Sequence, residues 1–339
     1  MFTIKSLGLP WKACVLHAVD SNTNITYSNN TIREDLQDAA NLLDVWETPF
    51  MSMIAKDGDA SNTLHQWPKL ALQAASNTNR QVEGNDGLPA SAADYALKMA
   101  NYTQISSKVC SVSDTSQWVD GAADIEKKAS QISYKLKELK IDMETMLLQN
   151  IAAAPGTAST PRQSAGLPAF WITNTDRGAG AGADPILSGG TQGYPSVAAV
   201  AGTSRTITEA MFRTTMQSCW TAGGSPKYAL VGPTIKSTIS EDFTGTATRF
   251  KDADTKKLIL AVDIYESDFG TLQIVPDRYV AATDAHIIDP KYVGVHYGQK
   301  ISQKPLARTG LSEKVLISTE YTLWVGNEAS GGVVADVTA

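Results

Sequence analysis

The strongest constraint on what this chain can fold into is the stretch from Trp118 to Asn150. Apolar residues recur there at Trp118, Ala122, Ile125, Ala129, Ile132, Leu136, Leu139, Met143 and Met146. Steps of four and three alternate, so these residues form one stripe down a single side of an α-helix. No proline interrupts the run, and Gly121 sits near its start. At 1.5 Å per residue such a helix is roughly 50 Å long, longer than a small domain is wide. A shorter row, Tyr134, Ile141 and Leu148, recurs on about the opposite side. Apolar rows on two sides predict cover on two sides. The main stripe is expected on the chain's own C-terminal sheet, and the minor row against a loop or a neighbouring subunit. A coiled coil is the weaker alternative, because the flanking sequence is strand-like and loop-like.

The rest of the chain arranges itself around that spine. Residues 1–30 are rich in Asn, Ser and Thr with little periodicity, and read as an arm that orders only against something else. Ile32–Val45 has helical spacing, with Thr31 and Glu34 placed as a capping box and Pro49 as a stop. Thr63–Ala75 and Asn101–Val112 read as two long strands joined by an irregular polar tip containing VEGNDGLP. A hairpin so poor in large apolar residues must be laid on another surface. Residues 152–205 are low in complexity (AAAPGTASTP, GAGAGADP, LSGGTQG) and read as a long flexible loop.

A compact α/β segment follows. Helices are expected at Ile207–Thr221, capped by Thr206 or Thr208 and stopped at Gly223–Gly224, and at Pro233–Asp242; Tyr228–Val231 is a buried strand between them. Ala247–Lys256 reads as a polar loop. Strands are expected at Leu258–Tyr265, Gly270–Val275, Tyr279–Ala282, His286–Ile288, Val293–Tyr297 and Lys314–Val325. In the last, Val315, Ile317, Thr319, Tyr321, Leu323 and Val325 share one face. The sum is an α+β fold, a long helix against antiparallel sheet.

Composition removes several function classes. The 339 residues carry a formal net charge of −6, so no global basic field can hold nucleic acid by phosphate neutralisation. Cys14, Cys110 and Cys219 are odd in number and far apart, which predicts buried reduced thiols and no disulfide framework. No apolar run reaches the length of a membrane span, and Trp11–Val19 is too short and too polar for a signal segment. The sequons at Asn24, Asn29 and Asn101 then carry no meaning, and synthesis in the cytoplasm is expected.

Chemistry is equally sparse. Asp284, His286 and Asp289 come nearest to a metal site, yet Asp289 projects opposite to the other two and Pro290 follows, so a strand-end histidine between turn acids is expected. Gly178, Gly180 and Gly182 suggest a phosphate cradle but lack the third-glycine spacing, a Lys-Ser/Thr pair and a preceding buried strand. No G-x-S-x-G elbow occurs, the pairs Glu241/Asp242 and Asp252/Asp254 lie in polar loops, and Cys219 sits mid-helix beside Trp220. No catalytic, cofactor-binding or metal-binding residue is assigned, no cofactor is expected, and the chain is not read as an enzyme.

Specific words in the chain carry a family resemblance. They include WETPFMSMIAKDGDASNTLHQW (Trp46–Trp67), VEGND (Val82–Asp86), NYTQISSKVCSVSDT (Asn101–Thr115), FWITNTDRGAGAGADP (Phe170–Pro185), CWTAGGSPKYALVGP (Cys219–Pro233), YESDFGTLQIVPDRY (Tyr265–Tyr279), PLARTGLSEKVLISTEYTL (Pro305–Leu323) and NEASGGV (Asn327–Val333). With the spine between them, they resemble tailed-bacteriophage major capsid proteins, in the branch similar to the major capsid protein of a Salmonella podovirus. The resemblance covers nearly everything beyond the N-terminal arm.

It implies a Hong Kong 97-type fold: an N-terminal arm (1–55), an extended loop (56–115), a spine helix (116–153), a glycine-rich region (154–205), an axial domain (206–262), and peripheral-domain strands with a C-terminal tail (263–339). It also implies a shell of pentamers and hexamers enclosing double-stranded DNA, assembled in the host cytoplasm. The implied partners are further copies of the chain, a portal protein, scaffolding and decoration proteins, and packaged DNA by non-specific proximity, without a membrane. The covalent lysine–asparagine cross-link of the family's namesake is not carried over, since nothing local marks Lys69 or Lys98 for it. Two alternatives stand beside this reading: a tail-tube or other self-associating virion protein, and an enzyme with a glycine-rich lid, Gly178–Gly193, over Asp284 and His286.

Overall fold

A computed structural model of the chain describes residues 47–54, 56–70, 72, 75–86, 95–119, 127–242, 251–252, 257–258 and 263–338. The arm before Glu47, including the helix expected at Ile32–Val45, lies outside the described residues. In chain order the helices are α1 (Pro49–Met53), α2 (Asp114–Trp118), α3 (Lys128–Leu148), α4 (Glu209–Thr221) and α5 (Pro233–Asp242). The strands that build the two main sheets are β1 (Lys56–Asp59), β2 (Leu64–Lys69), β3 (Leu97–Tyr102), β4 (Gln104–Ser113), β5 (Thr175–Asp176), β6 (Tyr228–Val231), β7 (Ile264–Ser267), β8 (Gly270–Pro276), β9 (Ala285–Ile288), β10 (Val293–Pro305), β11 (Ser312–Val325) and β12 (Gly332–Val334), with β2 and β3 forming a separate hairpin.

The first sheet has the order β1-β10-β11-β4, with β1 parallel to β10 and the other pairs antiparallel. Its long strand β11 follows the expected alternation: Val315, Ile317, Thr319, Tyr321, Leu323 and Val325 are all buried. Thr319 survives in that row because its hydroxyl donates to the Gln299 carbonyl at 3.0 Å. The helix α3 lies on this face. Leu139 packs with Val315 and Ile317, flanked by Ile132, Leu136 and Ile301, and Met143 and Leu147 enter the larger core beyond. From Ile132 onward the main stripe therefore covers the C-terminal sheet, whereas Ala129 is exposed.

The spine itself is shorter than the stripe. The helix α2 stops at Trp118, where Val119 turns to extended backbone (φ −70, ψ 135), and Lys127 is extended again before α3 begins. Ser113 caps α2 by accepting the Ser116 N–H at 3.1 Å. Trp118, the first residue of the stripe, is 77% exposed, while Ala122 and Ile125 lie outside the described residues. The helix α3 spans 21 residues, roughly 32 Å. At its C-terminus Gln149 is already extended, short of the expected Asn150–Ala153 boundary. Tertiary partners pull the chain away there: the Asn150 side chain both donates to and accepts from the Ala199 backbone, and Gly166 lies so close that a Cβ would sit 1.9 Å from the Gln149 carbonyl. In the minor row Leu148 is buried in the main core, while Tyr134 and Ile141 are half-buried.

The hairpin also differs from the expected strand boundaries. The strands β2 and β3 pair from Leu64↔Tyr102 to Lys69↔Leu97, so the first strand ends well before Ala75. The expected strand Asn101–Val112 divides at Thr103: its start belongs to the hairpin, and the remainder is β4, which pairs with β11. Buried side chains fix this corner. The Asn101 amide donates to the Leu323 carbonyl at 2.9 Å and accepts the Ala165 N–H at 2.9 Å, and the Thr103 hydroxyl donates to Glu320 at 2.7 Å. Alternation in sequence continues through a corner that only these partners create.

The second sheet has the order β7-β8-β6-β9-β12-β5 and draws strands from residues 175–334. The helices α4 and α5 match the expected Ile207–Thr221 and Pro233–Asp242 closely. Phe212, Met216, Ile235 and Ile239 pack them against Ala229, Val231, Ile274 and Ile287. Thr208 is the N-cap residue of α4, and Gly223 takes a positive φ at its end. The expected strand Tyr279–Ala282 is instead a series of bends, held by the Asp277 carboxyl accepting the Tyr279 N–H at 2.9 Å. Lys251–Asp252, inside the stretch expected to be loop, pairs with Lys257–Leu258 just after it, while residues 259–262 of the strand expected at Leu258–Tyr265 lie outside the described residues.

The largest departure is the glycine-rich stretch, which is folded. Leu167–Phe170 forms a 3-10 turn, and Leu167, Phe170 and Trp171 rank among the most deeply buried side chains. Ile186–Leu187 pairs with Pro195–Val197, and Gly193 bonds the β3 backbone through Lys98 and Ala100. Low complexity here reflects close backbone packing: a Cβ on Gly178 would fall 2.0 Å from the Thr203 carbonyl.

Candidate assembly surface

The residues nearest to a chemical site are not assembled into one. His286 is fully buried on the central strand β9, with no hydrogen-bond partner at either ring nitrogen, and burial pushes its pKa down to about 4. Asp284 accepts the Thr283 hydroxyl at 3.0 Å. Asp289 is buried and accepts the Ser225 and Lys291 backbone N–H groups at 3.2 and 3.1 Å, so its carboxylate serves the turn. Among the described residues no cluster of three metal-binding side chains occurs. The glycine run expected as a possible lid is packed: the Gly178 N–H donates to the Asp336 carboxylate at 3.0 Å, leaving no cradle. The Cys219 thiol is buried and pushed up to about 12, a core thiol with no nucleophilic character. Cys110 is buried and free, and Cys14 lies outside the described residues. Glu241 is exposed at the end of α5, and the side chains of Asp242, Asp252 and Asp254 lie outside the described residues.

The chain invests its polar chemistry in fixing the root of the hairpin. The Trp67 indole donates to the Val325 carbonyl at 2.8 Å, tying β2 to the end of β11. Beside it, Lys69 pairs with Glu328 at 2.8 Å, with side chains only 16% and 7% exposed. Glu328 also accepts the Thr173 hydroxyl at 2.8 Å and the Thr173 N–H at 3.3 Å. On the other side of Trp67, His65 meets His296 with ring nitrogens 2.8 Å apart, and His296 stacks on Trp324. Sequence reasoning named Lys69 only as a cross-link candidate; its ammonium is engaged within its own chain, while Lys98 is exposed on β3. The anchors Asn101, Glu144 and Glu328 were missed. The available signal was a polar residue inside an otherwise apolar row, clearest at Glu144 beside Met143.

Beyond this root the hairpin turns apolar groups outward. Leu72 is 80% exposed, Val82 80% and Tyr95 82%, with Leu70 also exposed. The outer side of the first sheet has matching character: Ile105 and Val109 are exposed on β4, and Val109 pairs with the half-buried Leu316. A cleft of about 430 Å³ opens beside Ile105, lined by Pro155, Gly156, Pro161 and Arg162. Arg162 is held in place by Glu320 at 2.7 Å. An anchored arm with bare apolar groups, beside a sheet face with its own, is the surface of a protein that associates.

Comparison with known proteins places the fold. The family model described as SU10 major capsid protein matches residues 20–338. The chain belongs to this family. The major capsid protein of Escherichia phage Phieco32 is 25% identical over 347 residues, covering 91% of this chain and 96% of that protein. Among solved structures, a chain of the Cyanophage A-1(L) capsid asymmetric unit superposes with a TM-score of 0.63 at 16% identity, over 91% of this chain and 98% of that one. A chain from Mycobacterium phage Bobi gives a TM-score of 0.57 at 12% identity, over 91% and 96%. At such identities the superpositions speak for the fold alone, the Hong Kong 97-type α+β capsid fold. Family membership makes the chain a structural virion protein, and the enzyme and tail-tube alternatives give way to it.

Proposed function

We propose that this capsid protein closes a phage head by laying its hairpin across a neighbouring copy in pentamers and hexamers. The observation that carries this reading is the hairpin: rigidly rooted by Trp67 and Lys69, and apolar on its exposed side at Leu70, Leu72, Val82 and Tyr95. A two-stranded unit of this kind gains its cover from another chain. Many modest contacts, repeated and closed by symmetry, then give a shell more stable than any one contact. The net charge of −6 suits a wall that stands near packaged DNA without holding it tightly. Assembly in the host cytoplasm, and partnership with a portal and with scaffolding or decoration proteins, belong to the same proposal.

Deleting Asn77–Pro89 tests it. The expected outcome is a soluble, folded subunit that forms no shells in negative-stain images. Normal particles from the deletion would overturn the proposal.

A further inference from the structure

The spine carries one acidic residue where an apolar one would be expected. Glu144 is fully buried on α3, directly after Met143. Its two oxygens accept the backbone N–H groups of Phe50 at 2.6 Å and Met51 at 3.0 Å, the first turn of α1. The helix α1 is short and roots the segment that leads back to the N-terminal arm. Phe50 beside it is fully buried in the main core.

A second buried carboxyl, that of Asp277, lies within side-chain hydrogen-bonding reach of Glu144. Asp277 follows β8 and is 1% exposed; one of its oxygens accepts the Tyr279 N–H, and the other, Oδ2, has no hydrogen-bond donor. Its backbone N–H bonds the Val231 carbonyl at 2.9 Å, so its position is fixed by the second sheet. The Arg278 backbone N–H is directed at the same carboxyl. The helix α1 contributes no charged side chain. Lys137 and Lys140 of α3 line the outer cleft with Glu47, Pro49 and Pro276. The charge acting on Glu144 is that of Asp277.

We propose that Glu144 and Asp277 form a proton-operated catch, which docks the root of the N-terminal arm onto the spine while the pair holds a proton and loosens it when the pair is fully ionised. Two carboxylates in one dry contact cannot both carry charge at low cost, and an acceptor without a donor is satisfied by a shared proton. Burial, opposed by the Met51 N–H and reinforced by the Asp277 charge, pushes Glu144 up to about 8 from an ordinary 4.5. Burial raises Asp277 as well. Because the docked state holds the proton more tightly than the open state, docking is strongest below about 4.5, weakens as pH rises to about 8, and is level above that. This catch is internal to one chain and does not depend on the assembly reading.

Hydrogen–deuterium exchange of the purified full chain between pH 5.5 and 9.5 tests it, after correction for the intrinsic exchange rate. Protection of the peptide covering Thr48–Ile54 is expected to fall by up to about tenfold per pH unit below pH 8, and to flatten above it. Peptides of β6 report the fold and should stay protected throughout. In Asp277→Asn, whose amide keeps an acceptor for Tyr279 and offers Glu144 a donor, the fall should end at a lower pH than in the wild type, because burial alone then raises Glu144. In Glu144→Gln protection should no longer titrate, because the pair then carries at most one charge at any pH. The proposal is overturned if wild-type protection of Thr48–Ile54 does not change with pH, or if β6 loses protection in parallel. A folded variant that titrates like the wild type would overturn it as well.

Discussion

Replacing Lys69 by methionine keeps the length of the side chain and removes its charge, which isolates the contribution of the hairpin's root. Glu328 would then remain 7% exposed, with the Thr173 hydroxyl and N–H as its donors. Breaking a buried ion pair from one side costs about 3–5 kcal/mol, because the other charge is left uncompensated. Two surviving hydrogen bonds, each contributing about 1 kcal/mol, hold the expected loss to about 2–3 kcal/mol. Adding Glu328→Gln removes the stranded charge, so the double variant should recover more than half of that loss. Guanidinium or urea unfolding of the purified subunit measures both, and a double-mutant cycle extracts the coupling. The loss should change little with salt, since the pair is shielded from solvent. A cost for Lys69→Met under about 0.5 kcal/mol, or a double variant as unstable as the sum of the singles, would refute the assignment of this pair as the hairpin's anchor.

Other outcomes follow from the same geometry. Leu139→Ala, at the meeting of α3 with Val315 and Ile317, should cost about 3 kcal/mol in thermal or chemical unfolding, whereas a serine at exposed Ala129 should stay within about 0.5 kcal/mol. Gly178→Ala places a Cβ 2.0 Å from the Thr203 carbonyl; a soluble-yield and unfolding assay should show a marked loss of stability, and an unchanged midpoint would contradict the close packing of this loop. His286, with a folded pKa near 4, favours folding above its ordinary 6.5 and loses that contribution as pH falls towards 4, on the order of 3 kcal/mol in all. His286→Leu should therefore flatten the acid limb of a stability-versus-pH curve, and an unaltered limb would contradict the buried neutral imidazole.

Which parts of the fold the residue pattern could announce follows from the range of the interactions involved. The face of β11 was legible because alternate residues of one strand meet the same core, a relation of period two that any sheet partner preserves. The contact of α3 with the C-terminal sheet was legible for the same reason at helical period. The end of α2 at Trp118 was not, since apolar spacing continues past it in sequence while Val119 is already extended. The corner at Thr103 was invisible because Asn101 and Thr103 are held by Leu323, Ala165 and Glu320, all remote in sequence.

The assembly surface divides along the same line. The amino-acid sequence by itself determined the class of fold, the hairpin arm, the absence of a basic field and, through its specific words, the capsid family. The tertiary structure alone decided where the arm is anchored, since Lys69 and Glu328 meet only after the whole chain has folded. It also decided that a glycine-rich stretch is core: polymer composition measures freedom in the open chain, but at Gly178 and Gly166 freedom is exchanged for close backbone approach. The pairing of Glu144 with Asp277 belongs there too: the two carboxyls are remote in sequence, and only folding buries both and couples their charge.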